Sequence, residues 1–323
     1  MAEKRYFPEI TTARGITMLL VIIAHAFPDS NRFRMHDMLA QTMHHAIHTF
    51  HMGAFVFLAG FVAAAKLFGE GSVKGEIRKR FERLMIPYFC WTAVLVLLKQ
   101  AFGFLARDRY PLSDAWKLLI GAERIGWLWY LLALFLISAL FLLISRATKS
   151  QGVLLGVGCV MYVIWTFFPE MYMERVMKYA IFFIGGACAR IHYPKLLKML
   201  RSPLTALLGI ALVLAKPLLN LPYLVTGIAG TALILHTALL LEKHPGRVQK
   251  FFTEMGERCF DIYLLGYYVQ IPARVVMQKF LHVPYWPQVI LCIAAGVIVP
   301  LLLSRYVVPK TGWFRRVFLG HAK

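Results

Sequence analysis

Long apolar stretches, separated by short polar ones, dominate this chain from end to end. Ten segments are apolar over most of their length. They lie at approximately 12–28, 47–67, 84–103, 126–145, 151–168, 176–191, 203–219, 222–241, 259–281 and 287–306. Segments of about 20 apolar residues are typical of helices that cross a bilayer. The pattern therefore predicts an all-α, polytopic membrane helical bundle with about ten transmembrane helices.

The distribution of positive charge predicts how these helices are oriented. Lys and Arg collect in the cytoplasmic loops of membrane proteins. If both termini are cytoplasmic, most of the 36 Lys and Arg residues fall on the cytoplasmic side. This favours an even number of spans with the N and C termini inside. No internal repeat or separate soluble segment interrupts the pattern, so we expect one integral membrane domain over residues 1–323.

Composition agrees with a membrane protein and excludes other classes. Hydrophobic residues make up 59% of the chain and charged residues only 16%. The formal net charge of +20 raises the question of nucleic acid. However, no basic arm stands apart from the apolar segments, so contact with membrane lipids explains the charge better. The five cysteines are scattered without CxxC spacing, which indicates neither a disulfide framework nor a zinc site.

The first apolar segment carries two costly polar residues. Eleven positions separate Arg14 from His25, which places both side chains within roughly 20° of one helix face and about 16 Å apart along the axis. Polar residues kept inside a span usually have a function. A structural explanation is also open, in which Arg14 anchors the helix at the cytoplasmic headgroups and His25 simply reaches outer water.

A second group of polar residues precedes the second apolar segment. His44, His48 and His51 recur at i, i+4 and i+7, which is one face of a helix. Such spacing permits a metal site, but only Asp37 is nearby as a carboxylate, and we expect no metal. We expect these histidines to line the watery mouth of the second span, with His51 deepest and near His25.

A basic run, RKRFERLMIPYFCW, leads into the third apolar segment. Positive-inside anchoring is sufficient to explain it. Arg80 and Arg83 are also suited to seating a phosphorylated donor that arrives from the cytoplasm, because guanidinium groups pair phosphate oxygens bidentately.

Five motifs in order make the chain similar to a known family. They are Arg14 and His25 with ten residues between them, FHMGAFVFLAGF, RKRFERLMIPYFCW, GWLWYLLALF and GERCFDIYLLG. This set resembles the membrane acyltransferase-3 family, bacterial integral membrane enzymes that O-acylate glycans and other envelope molecules. The chain departs from the family pattern at Thr11, Gly53, Ala59, Cys259, Asp261 and Gly266.

The resemblance implies an acyltransferase of groups other than aminoacyl groups, in the bacterial cytoplasmic (inner) membrane. It implies an acyl-CoA donor, most often acetyl-CoA, and a hydroxyl acceptor on a cell-envelope glycan or lipid-linked sugar. With that chemistry His25 is our candidate general base, because the pKa of imidazole lies nearest neutrality. His51 would orient His25, polarise the thioester carbonyl or carry the acyl group transiently. Donor contacts are expected from Arg14, Arg80 and Arg83.

The acceptor is expected to meet the loops at 29–46 and 104–125. Their polar residues suit a polyhydroxylated or anionic glycan: Asn31, Arg32, Arg34, Asp37, Gln41, Arg107, Asp108, Arg109 and Asp114.

A membrane transporter or flippase without covalent chemistry is the alternative class. Its pathway of intramembrane polar groups would consist of Arg14, His25, His51 and Asp261. Against it, the sequence lacks paired Gly/Pro-broken helices in corresponding halves and has few intramembrane acids for ion coupling.

Overall fold

The described part of the chain is helical and contains no strand. The structure, a computed structural model, describes residues 6–27, 37–102, 113, 116–117, 128–171 and 173–321. Its α-helices are, in chain order, α1 Pro8–Ala26, α2 Met38–His48, α3 His51–Leu67, α4 Val73–Arg80, α5 Ile86–Ala101, α6 Trp129–Ala147, α7 Gln151–Phe167, α8 Glu174–Ile191, α9 Tyr193–Leu200, α10 Pro203–Leu219, α11 Tyr223–Lys243, α12 Arg247–Glu257, α13 Cys259–Lys279, α14 Tyr285–Leu302 and α15 Gly312–Val317. Single π-helical turns occupy Phe81–Met85 and Leu303–Val307, and a 3₁₀ turn occupies Val308–Lys310.

The all-α prediction is confirmed, whereas the count of ten spans is not. Every predicted apolar segment overlaps a helix. Among the described residues, six helical stretches are long and apolar enough to cross a membrane: Pro8–Ala26, Met38–Leu67, Val73–Ala101, Trp129–Ala147, Tyr223–Lys243 and Tyr285–Lys310. A seventh is obtained if α9 and α10, which meet at a bend of 77°, count as one span. The described residues therefore contain several membrane-spanning candidates, but fewer than ten by length and composition.

The remaining helices are too short or too polar to qualify. α7 has 17 residues, just under the usual span. α8 carries Glu174, Arg175 and Lys178 near its start. α13 carries a buried Asp261 and a half-buried Arg274. Apolar runs in the sequence thus identify the helices correctly, but they do not by themselves separate helices that cross the bilayer from those that do not.

The chain divides into two compact units. The first unit contains Met1–Leu58 and His192–Arg305, and the second contains Ala59–Ile191 and Tyr306–Lys323. The expectation of one domain over residues 1–323 stays a prediction.

α1 is the central helix of the first unit. It begins at Pro8, whose missing N–H costs nothing in the first helical turn. It contacts α2, α11, α12, α13 and α14. The closest approach is to α12, where a Cβ on Gly15 would collide with the Phe252 carbonyl and one on Gly256 with the Thr11 carbonyl. These two glycines allow the backbones to touch, which fixes the position of α1 next to Arg14.

The second unit is held by side chains that reach backbone carbonyls. Trp91 Nε1 donates to the Phe318 carbonyl at 2.8 Å. Arg146 Nη1 donates to the Gly69 carbonyl at 2.8 Å. Gly60 of α3 lies against the backbone of Phe183 on α8, where a Cβ would not fit.

Candidate active site

Arg14 and His25 both lie against α13. The Arg14 guanidinium donates from Nη2 to Cys259 Sγ at 2.8 Å, at the first residue of α13. The His25 ring meets the Tyr267 ring edge-on, with centroids 5.8 Å apart and planes at 87°. Contacts advance along both helices in the same direction, so α1 and α13 are parallel here. The two side chains therefore face one neighbouring helix, as their spacing requires.

Two hydrogen bonds, one buried and one part-buried, tie the middle and end of α1 to α13. Gln270 Nε2 donates to the Ile22 carbonyl at 3.0 Å, and Arg274 Nη1 donates to the Phe27 carbonyl at 3.0 Å. Gln270 is a buried polar side chain, so its loss would leave a carbonyl without its partner. These bonds hold α1 against α13 both before and after His25 in the chain.

The Arg14 end of α1 is surrounded by a polar network. The Thr12 hydroxyl donates to Glu242 at 2.5 Å and lies 2.8 Å from the Thr253 hydroxyl. Gln249 Nε2 donates to Glu242 at 3.0 Å and to Thr253 at 3.1 Å. This network contacts α1 at Thr12, one residue from Thr11. Thr11 is one of the positions at which the chain departs from the family pattern, which has an acid there.

A cleft of about 320 Å³ opens beside this network. It is lined by Gln249, Lys250, Thr253, Glu254, Glu257, Arg258 and Arg305. Glu254 pairs with Arg258 at 3.6 Å and with Arg305 at 3.4 Å. The cleft thus presents three cations and two acids at the end of the first unit where Arg14 lies.

The three histidines predicted on one helix face form a row of contacting rings, tilted between His44 and His48 and edge-on between His48 and His51. The His44 and His48 centroids are 3.9 Å apart, and those of His48 and His51 are 4.8 Å apart. His48 is exposed and His44 is half-buried, whereas His51 is only 3% exposed. His51 is thus the deepest of the three.

Helix hydrogen bonds fix the tautomer of two of these rings. His48 Nδ1 lies 2.8 Å from the His44 carbonyl, and His51 Nδ1 lies 2.8 Å from the Ile47 carbonyl. A carbonyl oxygen only accepts, so Nδ1 must carry the proton in each ring. In the neutral imidazole, Nε2 then has the free lone pair and is the basic, nucleophilic atom.

His25 belongs to the same cluster. His25 lies within electrostatic range of His48 and of Arg274, and His51 lies within range of His25, His44 and His48. The structure therefore brings the two predicted catalytic residues, His25 and His51, into one group. Their roles stay predictions.

The carboxylate nearest these rings in sequence has other partners in the structure. Within residues 6–27, 37–102, 113, 116–117, 128–171 and 173–321, no three His, Cys, Asp or Glu side chains are arranged to hold a metal ion. Asp37, the carboxylate nearest in sequence, instead caps α2 by accepting from Ala40 N–H at 2.8 Å. Its other oxygen accepts from Trp286 Nε1 at 3.0 Å.

Arg80 and Arg83 belong to the second unit. Arg80 ends α4, and its Nη1 lies 3.7 Å from Glu76 Oε2. Arg83 is exposed in the following π-helical turn, where its backbone carbonyl packs against Gly320. Their predicted contact with the donor stays a prediction.

Most of the predicted acceptor-binding residues lie outside the described residues. These are Asn31, Arg32, Arg34, Arg107, Asp108, Arg109 and Asp114. Asp37 and Gln41 are described, and Asp37 has the structural role given above.

Sequence reasoning overlooked Tyr267, Gln270 and Arg274. They recur on α13 at spacings of three and four residues, which aligns them on the face toward α1. A charged residue inside an apolar segment is a signal that could have identified Arg274. The same reasoning named Asp261 without a role. Its carboxylate accepts from the Ser304 hydroxyl at 2.6 Å, and Arg258 donates to the Ser304 carbonyl at 2.9 Å.

Comparison with known proteins gives one match. The sequence profile of the Acyl_transf_3 family, described as an acyltransferase domain, matches residues 7–305. No curated protein and no solved structure matches the chain significantly. The matched range includes α1 through α14, and hence every residue of the cluster described above.

Proposed function

The chain belongs to the membrane acyltransferase-3 family, and from this premise we propose that it transfers an acyl group from acyl-CoA to a hydroxyl of a cell-envelope glycan or lipid-linked sugar. Acetyl is the proposed acyl group. Membership of the family makes the chain an acyltransferase enzyme. The observation that carries the finer proposal is the alignment of Arg14 and His25 against one helix, α13.

The chemistry assigned to His25 is general base catalysis. The acceptor oxygen attacks the thioester carbonyl carbon as His25 takes the hydroxyl proton. A new C–O bond forms, the C–S bond breaks, and the proton passes to the departing thiolate to give free coenzyme A. Its position beside Tyr267 and within electrostatic range of His48 and His51 supports this assignment.

His51 supplies a second imidazole in the same cluster. With Nδ1 donating to the Ile47 carbonyl, its Nε2 is the atom available to chemistry. We assign it one of three roles: orienting His25, polarising the thioester carbonyl, or carrying the acyl group transiently.

Arg14 is the proposed donor contact, about 16 Å from His25 along the α1 axis. That separation suits the thin pantetheine arm of coenzyme A, which would run from a phosphate near Arg14 to a thioester near His25. The cations of the neighbouring cleft, and Arg80 and Arg83 of the second unit, would add phosphate contacts. Acyl-CoA is cytoplasmic, so this arrangement favours both termini inside, ten spans and the bacterial inner membrane.

The test is acyl transfer by the full-length protein in nanodiscs. Radiolabelled acetyl-CoA is supplied, and thioester hydrolysis and acceptor labelling are measured. The wild type should release coenzyme A, and His25→Ala should lose at least 99% of that activity, because general base catalysis contributes about 10²–10⁴-fold. His244→Ala, which removes an exposed histidine, is the matched control.

Two outcomes would contradict the proposal. Near wild-type turnover by His25→Ala would reject the assignment of the base. Coenzyme-independent movement of a substrate across the bilayer, without thioester cleavage by the wild type, would favour a transporter or flippase.

A further inference from the structure

Arg274 is a half-buried cation at the end of α13 that the mechanism above does not use. Its Nη1 donates to the carbonyl of Phe27, the residue that ends α1, at 3.0 Å. A guanidinium has five N–H donors in a planar fork, so this bond occupies only part of the group. Within the described residues this is the one hydrogen bond of the guanidinium, so its other donors can serve a ligand.

No carboxylate of the described residues balances this charge. Within that part of the chain, Arg274 forms no ion pair. Asp37, the acid that begins α2, is already engaged by Ala40 and Trp286. Among the described residues, a backbone carbonyl is thus the partner of this guanidinium, and a charged residue kept within an apolar helix generally has a function.

The position of Arg274 relates it to His25. Tyr267 precedes Arg274 by seven residues, two helical turns, so both lie on one face of α13. The Tyr267 ring contacts His25, and Phe27 lies two residues beyond His25. The charge of Arg274 acts on both His25 and Tyr267. The guanidinium therefore lies near the candidate base, at the same end of α1.

We propose that Arg274 binds an oxyanion of the acceptor, a carboxylate or a phosphate, beside the hydroxyl that His25 deprotonates. This rests on the proposed function and narrows its acceptor to an anionic glycan or a phosphate-linked sugar. A planar fork pairs both oxyanions bidentately, which also fixes the orientation of the sugar. The competing explanation is that Arg274 only caps the C-terminal end of α1.

The experiment measures binding without an acyl donor. Full-length protein in phosphatidylcholine nanodiscs is titrated by calorimetry with three matched ligands: methyl β-glucuronide, methyl β-glucoside 6-phosphate and neutral methyl β-glucoside. Wild type is compared with Arg274→Gln, Arg274→Lys and Lys279→Gln. The last variant removes an exposed positive charge from the same end of α13 and is the control.

The wild type should bind both anionic ligands at least tenfold more tightly than the neutral one, because hydrogen bonds to charged groups are strong. Arg274→Gln should abolish that preference and leave the Kd of the neutral glucoside unchanged. Arg274→Lys should keep part of it, since lysine has charge without the fork. Lys279→Gln should behave as wild type.

Three results would overturn the proposal. One is a wild type with no preference for the anionic ligands, including one that binds none of the three. Another is an equal loss of affinity for all three in Arg274→Gln with a lower Tm, as a helix cap predicts. The third is a preference for the anionic ligands that disappears when phosphatidylglycerol replaces phosphatidylcholine in the nanodiscs. That result would indicate that Arg274 binds a lipid headgroup. Because no donor is present, failure of acyl transfer would leave this result standing.

Discussion

The Arg14 guanidinium and the Cys259 thiol lie 2.8 Å apart, although 245 residues separate them in the sequence. This contact joins the first helix of the chain to the start of α13. It also gives the proposed donor contact a partner that fixes its direction.

Cys259 is therefore a positioning residue for Arg14. Cys259→Ala removes the acceptor and should raise the KM for acetyl-CoA by about three- to tenfold with little change in kcat, since one hydrogen bond contributes about 1 kcal/mol. Cys259→Ser keeps an acceptor and should stay near wild type. Steady-state kinetics measures both. Cys188→Ala, at another buried cysteine, is the control for loss of packing.

The tautomer of His51 allows its two nitrogens to be tested separately. Asn places an amide N–H near the position of Nδ1, so His51→Asn should keep the bond to the Ile47 carbonyl but lacks Nε2. We expect turnover to fall by about 10²-fold with an unchanged Tm. An active His51→Asn would reduce His51 to a structural residue. His244→Asn supplies the comparison at an exposed site.

The contact between α1 and α12 should tolerate no side chain. Gly15→Ala places a methyl group against the Phe252 carbonyl, which is backbone and cannot swing away. Overpacking of this kind costs about 1–3 kcal/mol, so the Tm in detergent should fall. Gly156→Ala, in α7, meets nothing within 4 Å and should be neutral or stabilising. Equal Tm values for the two variants would contradict this contact.

Substitutions at Asp261 test the transporter alternative, which places this residue in a pathway of polar groups. Asp261→Asn still accepts from the Ser304 hydroxyl, so we expect acyl transfer to stay within about threefold of wild type. Asp261→Leu removes the buried acceptor and should lower the Tm, with a cost of about 1–3 kcal/mol. Loss of activity in Asp261→Asn at an unchanged Tm would instead indicate that the carboxylate takes part in proton movement.

Continuous apolar runs predicted the helices, because a helix satisfies its own backbone hydrogen bonds in an apolar environment. The shared direction of Arg14 and His25 also follows from one helical repeat, and the structure turns both toward α13. The count of ten spans is not confirmed, because the apolar runs do not show the bend between α9 and α10 or the short length of α7.

Tertiary contacts explain what the sequence could not predict about the site. Asp37 looked like an acceptor or metal contact, but it caps α2 and accepts from Trp286, 249 residues away. The sequence did not predict the contact of Arg274, because its partner is a backbone carbonyl, that of Phe27, and residue types do not reveal backbone contacts. The contact between the His44 and His48 rings required the actual side-chain rotamers.

The order in which the chain is synthesised determines when the contact between Gly15 and Gly256 can form. At about 5–20 residues per second, α12 and α13 leave the ribosome roughly 12–50 seconds after α1. Throughout that interval Cys259 is not yet present as a partner for Arg14, and the polar network beside it, which includes Thr253, has not formed. α1 is therefore enclosed only after α12 and α13 have been made, and the candidate active site is completed long after its first helix has been synthesised.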